Sequence, residues 1–253
     1  MGIYEGKTVI VTGAGKASSL GYGIATAFAE EGADLIVTGH SKGKLKAAAE
    51  LERYGGQVLP VVCDGLSAAD AARVVARAVE RFGRIDVLVN AAQLAKAGTP
   101  LAEQRFEDFE LTVQSGLSVP FAYMQACYPY LKKTKGSVIN FASGSAACGM
   151  AGMGSLAAAK EGMRGLSRVA ATEWAPDGIT VNVVCPLVAG SQLEQWHQQF
   201  PAAYDEALQG IPMGRFGDAK ADVGRVCVFL GSDDARYLTG QTIYLQGGMN
   251  LHL

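Results

Sequence analysis

Thr12-Gly13-Ala14-Gly15, an insert Lys16–Leu20, and Gly21-Tyr22-Gly23-Ile24 form the stretch on which the fold turns. It follows the apolar run Lys7–Thr12, which ends T-V-I-V-T. It precedes a helical pattern over Gly23–Gly32 with Ile24, Ala27 and Phe28 on one face. A buried strand, a glycine turn and an amphipathic helix, in that order, make a phosphate cradle. Glycines let backbone amides approach a pyrophosphate, and the helix N-terminus favours its negative charge. Gly13, Gly15, Ser19, Leu20, Gly21 and Gly23 are the candidate cofactor-binding residues of this turn.

Outward from this turn, the alternation of strand and helix continues to the other end. Strand-length apolar runs lie at Ala33–Gly39, Gln57–Cys63, Ile85–Asn90, Ser137–Phe141, Thr180–Val184 and Thr242–Leu245. Helical patterns lie at Lys44–Tyr54, Ala68–Phe82, Glu103–Leu131 and Gly154–Ala175. Strands that are apolar on both sides belong in a parallel sheet covered on both faces. The expected fold is α/β: a single-domain, Rossmann-like, doubly wound parallel sheet over residues 1–253, flanked by helices on both faces. No linker, low-complexity block or solenoid repeat divides it.

Composition agrees. Of the 253 residues, 49% are hydrophobic and 18% charged, with 32 glycines and 8 prolines, as in a globular chain with a large core and many tight turns. A net charge of −2 gives no footprint for nucleic acid or an anionic membrane. Cys63, Cys127, Cys148, Cys185 and Cys227 form no C-x-x-C pair and have no His at ligand spacing, so no metal site is expected. Free thiols and the lack of a signal-like or membrane-length apolar run point to the cytoplasm. Burial is the expected fate of Cys148, the cysteine nearest the candidate pocket.

With the glycine turn in place, further landmarks recur in order. They are Cys63-Asp64, Asn90-Ala91-Ala92, Ser143, Lys160, Asn182, Cys185-Pro186, Gly214-Arg215-Phe216-Gly217, Leu238-Thr239-Gly240-Gln241 and Gly247-Gly248. In these the chain resembles the short-chain dehydrogenase/reductase family over nearly its whole length. Ser18–Ile24 looks like the enoyl-acyl-carrier-protein reductase branch, and the tail looks like the ketoreductase branch. The resemblance implies that Asp64 hydrogen-bonds the adenine amine and that Asn90 lies beside the adenosine ribose. Asp64 is equally suited to closing a turn after the third strand. Gly65, Ala92 and Ala189 complete the implied cofactor contacts. A substrate lid over about 187–215 and assembly into a homotetramer or homodimer through the long helices are implied as well.

The end of the second strand selects the cofactor. An acid there would accept from a ribose 2′-hydroxyl and repel a 2′-phosphate. This chain has Thr38-Gly39-His40-Ser41-Lys42 instead. Ser41 can donate to a phosphate, and Lys16, His40 and Lys42 can supply positive charge. NADP(H) is favoured over NAD(H).

The catalytic pattern is broken. In the family a Tyr four residues before a Lys, a Ser thirteen before the Tyr, and an Asn on the preceding long helix carry proton transfer. Lys160 and Ser143 are in register, but Leu156 stands at the Tyr position and Gly116 at the Asn position. Gln93 and Leu187 also depart from the family's glycines. Changes cluster where substrate and nicotinamide would meet, while the nucleotide half keeps its pattern. Lys160 can still bond the nicotinamide ribose, and Ser143, with Ser145 behind it, can polarise a carbonyl or cap the fifth strand. His197 is a lone lid histidine. Tyr123, Tyr128 and Tyr130 are expected in core or interface. The expected function is an atypical NADP(H)-dependent oxidoreductase reducing a conjugated enone or a carbonyl of an apolar molecule. A silent NADP(H)-binding subunit, or a non-redox lyase or isomerase, is the alternative. Restoring Leu156→Tyr and Gly116→Asn is expected to raise carbonyl reduction.

Overall fold

The computed structural model describes residues 2–43 and 45–249. The run after Lys7 forms strand β1 (Thr8–Val11), buried along its whole length. Six more strands follow: β2 (Asp34–Gly39), β3 (Val58–Val62), β4 (Val87–Asn90), β5 (Ser137–Phe141), β6 (Thr180–Pro186) and β7 (Thr242–Leu245). All pair in parallel, in the order β3-β2-β1-β4-β5-β6-β7. The chain moves outward from β1 to β3, then returns to β4 on β1's other side. In such open sheets the crevice at the carboxyl ends of the two strands flanking this reversal receives ligands.

The period-two alternation of strand side chains builds a separate core on each face. Val9, Val11, Leu35 and Val37 pack with Ile24 and Phe28 of helix α1 (Leu20–Glu30). Ile10, Ile36 and Leu88 pack on the other face with residues of three helices. Those are Val74 and Val75 of α2 (Ala68–Phe82), Met124 and Leu131 far along the chain, and Met163 after Lys160.

The remaining elements correct the expected pattern at three places. Residues of the second helical pattern form a 3-10 helix, Lys46–Tyr54; Lys44, its expected start, lies outside the described residues. The stretch Glu103–Leu131 is not one helix. Glu103 closes a 3-10 turn (Leu101–Glu103), α3 spans Phe106–Val113, a π-helical turn covers Gln114–Ser118, and α4 runs Val119–Thr134. Apolar periodicity cannot report one widened turn, and such turns gather at functional sites. Beyond them lie α5 (Gly144–Ala147), α6 (Gly154–Trp174), α7 (Ser191–Gln199) and α8 (Pro201–Gln209). A second π-helical turn (Ala219–Gly224) and α9 (Arg225–Leu230), absent from the sequence reading, pack on α1. No Cβ would fit there at Gly224, where it would come 2.7 Å from the Ala27 methyl.

Asp86 fixes the start of β1 against β4. Only 7% exposed, it accepts from the Thr8 N–H at 2.8 Å and from Arg84 at 2.7 and 2.8 Å. Asp86→Ala leaves a buried amide unpaired, and the expected loss is about 2–3 kcal/mol. A thermal melt should show Tm falling by roughly 5–10 °C. An unchanged melt would mean that the sheet holds its register without this carboxylate.

Candidate active site

At the reversal point, two threonines tie the glycine turn to three strands. Thr12 Oγ1 accepts from the Ala92 N–H at 3.0 Å, and Thr38 Oγ1 accepts from the Gly13 N–H at 3.2 Å. Gly13 takes φ +73°, and a Cβ there would lie 2.8 Å from the Ala92 Cα. A Cβ on Gly21 would lie 2.8 Å from the carbonyl carbon of Gly13, so the turn folds directly onto the start of α1. Ser19 caps that helix, its Oγ accepting from the Tyr22 N–H at 3.2 Å. Gly15 passes close to Gly39, where a Cβ would come 3.1 Å from the Gly15 Cα. Gly23 plays a different part. Its missing Cβ makes room for Ala219 at 2.6 Å, so its small size serves helix packing.

A cavity of about 650 Å³ opens beside this turn, lined by Gly15, Lys16, Ala17, Gly43, Lys46, Ala47 and Glu50. His40 and Lys42 are exposed and Ser41 half-buried in the loop at its side. Asp64 Oδ1 accepts from the Leu66 N–H at 2.9 Å, closing the turn after β3. Around Gly65 the space is open. Asn90 is buried, donating to Asn140 Oδ1 at 2.8 Å, while its own Oδ1 has no partner among the described residues. Ala189, exposed, donates its N–H to the Gly217 carbonyl at 2.9 Å.

The other end of the crevice gathers Ser143 and Lys160. Ser143 caps α5, and its Oγ lies 2.8 Å from Ser145 Oγ. Lys160 is not a surface lysine. It is 8% exposed, and Nζ donates to the Phe141 carbonyl at 2.9 Å. Burial lowers its pKa to about 8, with the Cys185 thiol opposing. Leu156 sits one helical turn earlier, half-buried, and brings no proton. Gly116 is buried in the π-helical turn, where a Cβ would come 2.7 Å from Gln93 Nε2 and 3.2 Å from the Ala159 methyl.

Other candidates fall away from this centre. Cys148 is exposed, against expectation, because the turn after α5 carries it outward; Cys185, buried at the end of β6, is the cysteine coupled to Lys160. His197 stacks on Tyr204 with ring centroids 3.9 Å apart, which makes it a packing residue of the α7–α8 segment. Tyr123 is buried beside Cys63, and burial drives its phenol pKa far upward. Tyr128 donates to Asp177 at 2.6 Å. Among the described residues no cluster could hold a metal ion, and no helix is long and apolar enough to cross a membrane. The sequence marked Gln93 only as a departure. Its nearness to Gly116 gave no local signal, because the two lie on different elements.

A family model described as enoyl-(acyl carrier protein) reductase matches residues 13–250. The chain is 55% identical to a 12alpha-hydroxysteroid dehydrogenase of Clostridium sp., over 98% of each chain. It is 35% identical to a 3-oxoacyl-[acyl-carrier-protein] reductase of Thermotoga maritima, covering 97% of this chain and 98% of that one. Among solved structures, levodione reductase superposes with a TM-score of 0.90 at 30% identity, covering 97% of this chain and 98% of its own.

Proposed function

Because the chain belongs to the short-chain dehydrogenase/reductase family and is an oxidoreductase, we propose that it interconverts a hydroxyl and a carbonyl on a large apolar ring system of the hydroxysteroid kind, using NADP(H) and an atypical active site. The full-length similarity to a 12alpha-hydroxysteroid dehydrogenase carries this reading. Exposed apolar side chains support it. Leu94, Met150, Phe200 and Met213 are large and exposed, on segments that leave the carboxyl ends of β4, β5 and β6. A flat hydrocarbon substrate would cover them. The segment over about 187–215, with α7 and α8, is the proposed lid.

The crevice fits a dinucleotide. Gly13 and Gly21 let the turn fold tightly against Ala92 and onto the helix start, where a Cβ would collide with backbone, and Ser19 and Leu20 open the helix beneath it. Lys16, His40 and Ser41 flank the place for a 2′-phosphate, and no carboxylate ends β2. Asp64, Gly65, Asn90 and Ala92 face the adenosine side, Lys160 and Ala189 the nicotinamide side. When bound, the cofactor supplies or accepts the hydride. Ser143 holds the substrate oxygen. With leucine at 156, the proton passes between Lys160 and that oxygen through water. Missing a directly placed acid typically costs about 10²–10⁴-fold, so turnover is slow by family standards. We place the protein in the cytoplasm, as a homotetramer or homodimer.

Assays with NADPH and NADH on 12-oxosteroids, 12α-hydroxysteroids and enones test this. Turnover with NADPH preferred is the expected result. NADPH binding without turnover on the whole panel would replace it with the silent-subunit reading. The pH profile tests Lys160. Reduction consumes a proton, so its rate should fall as pH rises through about 8, where the ammonium is lost. Oxidation should show the opposite limb. A flat profile across that range would exclude Lys160 as the proton source.

A further inference from the structure

Two departures from the family pattern, Gln93 and Gly116, meet in space. Gln93 follows β4, whereas Gly116 lies in the π-helical turn between α3 and α4, yet a Cβ on Gly116 would come 2.7 Å from Gln93 Nε2 and 3.2 Å from its Cδ. The same Cβ would lie 3.2 Å from the methyl of Ala159, the neighbour of Lys160. Gln93 therefore reaches into the volume that a side chain at 116 would need.

Its position is fixed from both sides. Ser115, within the turn, donates to the Leu94 carbonyl at 2.7 Å and accepts the Leu94 N–H at 3.1 Å. That pair clamps the backbone immediately after Gln93. At the end of the side chain, Nε2 is buried and has no partner among the described residues. A plain space-filler here would be apolar, because a buried amide without an acceptor loses its hydration for nothing. Such a group is satisfied by a bound water or ligand.

We propose that Gln93 is a positioning residue of this active site: its carboxamide occupies the space left by Gly116 and holds the water that links Lys160 to the substrate oxygen. The inference rests on the oxidoreductase reading above. It explains why both positions differ from the family together: a glycine at 93 would leave the space empty, and a larger residue at 116 would collide with the glutamine.

The test combines a high-resolution crystal structure with kinetics on Gln93→Leu, Gly116→Ala, Gln93→Gly, the Gln93→Gly/Gly116→Ala pair and the Gln93→Gly/Gly116→Asn pair. In the wild type a water should lie within hydrogen-bond distance of the Gln93 carboxamide and be absent from Gln93→Leu. Gln93→Leu should lower kcat about tenfold or more with the KM for NADPH unchanged, and the Gln93→Gly/Gly116→Asn pair should recover most of that loss. Gly116→Ala should lower Tm in the wild type and not in the Gln93→Gly background. An unchanged kcat in Gln93→Leu, no water at the carboxamide, or equal effects of Gly116→Ala in both backgrounds would overturn the proposal. If the wild type turns over no substrate, the functional reading fails separately, and the water together with the Tm comparison still decides this one.

Discussion

The triple variant Leu156→Tyr/Gln93→Gly/Gly116→Asn is expected to reduce a simple cyclic ketone with NADPH about 10²–10⁴-fold faster than the wild type. A phenol at 156 would lie on the same face of α6 as Lys160, one turn earlier. The buried ammonium beside it would favour the phenolate and bring the phenol's pKa down toward neutrality. Proton delivery would then run from a fixed donor instead of through water. The sequence alone suggested that Leu156→Tyr with Gly116→Asn would suffice. The structure says otherwise, because any side chain at 116 meets Gln93 at 2.7 Å. That double variant should gain less than the triple one and melt lower. The measurement is kcat/KM for the ketone, alongside NADPH affinity by calorimetry. If the triple variant binds NADPH normally and gains nothing, the pocket has been reshaped beyond proton supply.

The parts of the molecule that were legible were those governed by local pattern. Every strand was found to within two residues; β1, β4 and β5 are buried on both faces and read as largely apolar runs. Helix α2 begins and ends where the sequence pattern put it, with Ser67 capping its start and Gly83, at φ +73°, following its end. Register put Lys160 near Ser143, and Lys160 Nζ reaches the Phe141 carbonyl, two residues before Ser143. What stayed hidden depends on tertiary contact. The widened turn at Gln114–Ser118 leaves the apolar pattern of its flanking helices intact. Gly23 read as a nucleotide glycine, yet its small size answers to Ala219, almost two hundred residues on. Gln93 read as a loss, and only its distance to Gly116 shows that it fills a space.

Three glycines in the cradle region separate binding from packing, and Gly21→Ala should have the largest effect on the cofactor. The new methyl would lie 2.8 Å from both the carbonyl carbon and oxygen of Gly13 and 2.9 Å from the Thr12 carbonyl oxygen. These are backbone atoms that cannot rotate away, so the turn must lift from the helix N-terminus. Amides that should converge on a pyrophosphate then diverge. NADPH affinity is expected to fall at least about a hundredfold, equivalent to about 2.7 kcal/mol. Circular dichroism should still report a folded chain, since the strands beneath are untouched. Gly23→Ala presses on Ala219 and the Lys220 amide instead, so its expected cost is a lower Tm with binding less affected. Gly65→Ala meets nothing within 4 Å and should leave Tm unchanged; a drop in NADPH affinity there would mark adenosine passing over that residue. Calorimetry on the three variants, with melts alongside, gives the comparison. Normal NADPH binding by Gly21→Ala would mean that the pyrophosphate sits elsewhere, and the cofactor reading built on this turn would fall with it.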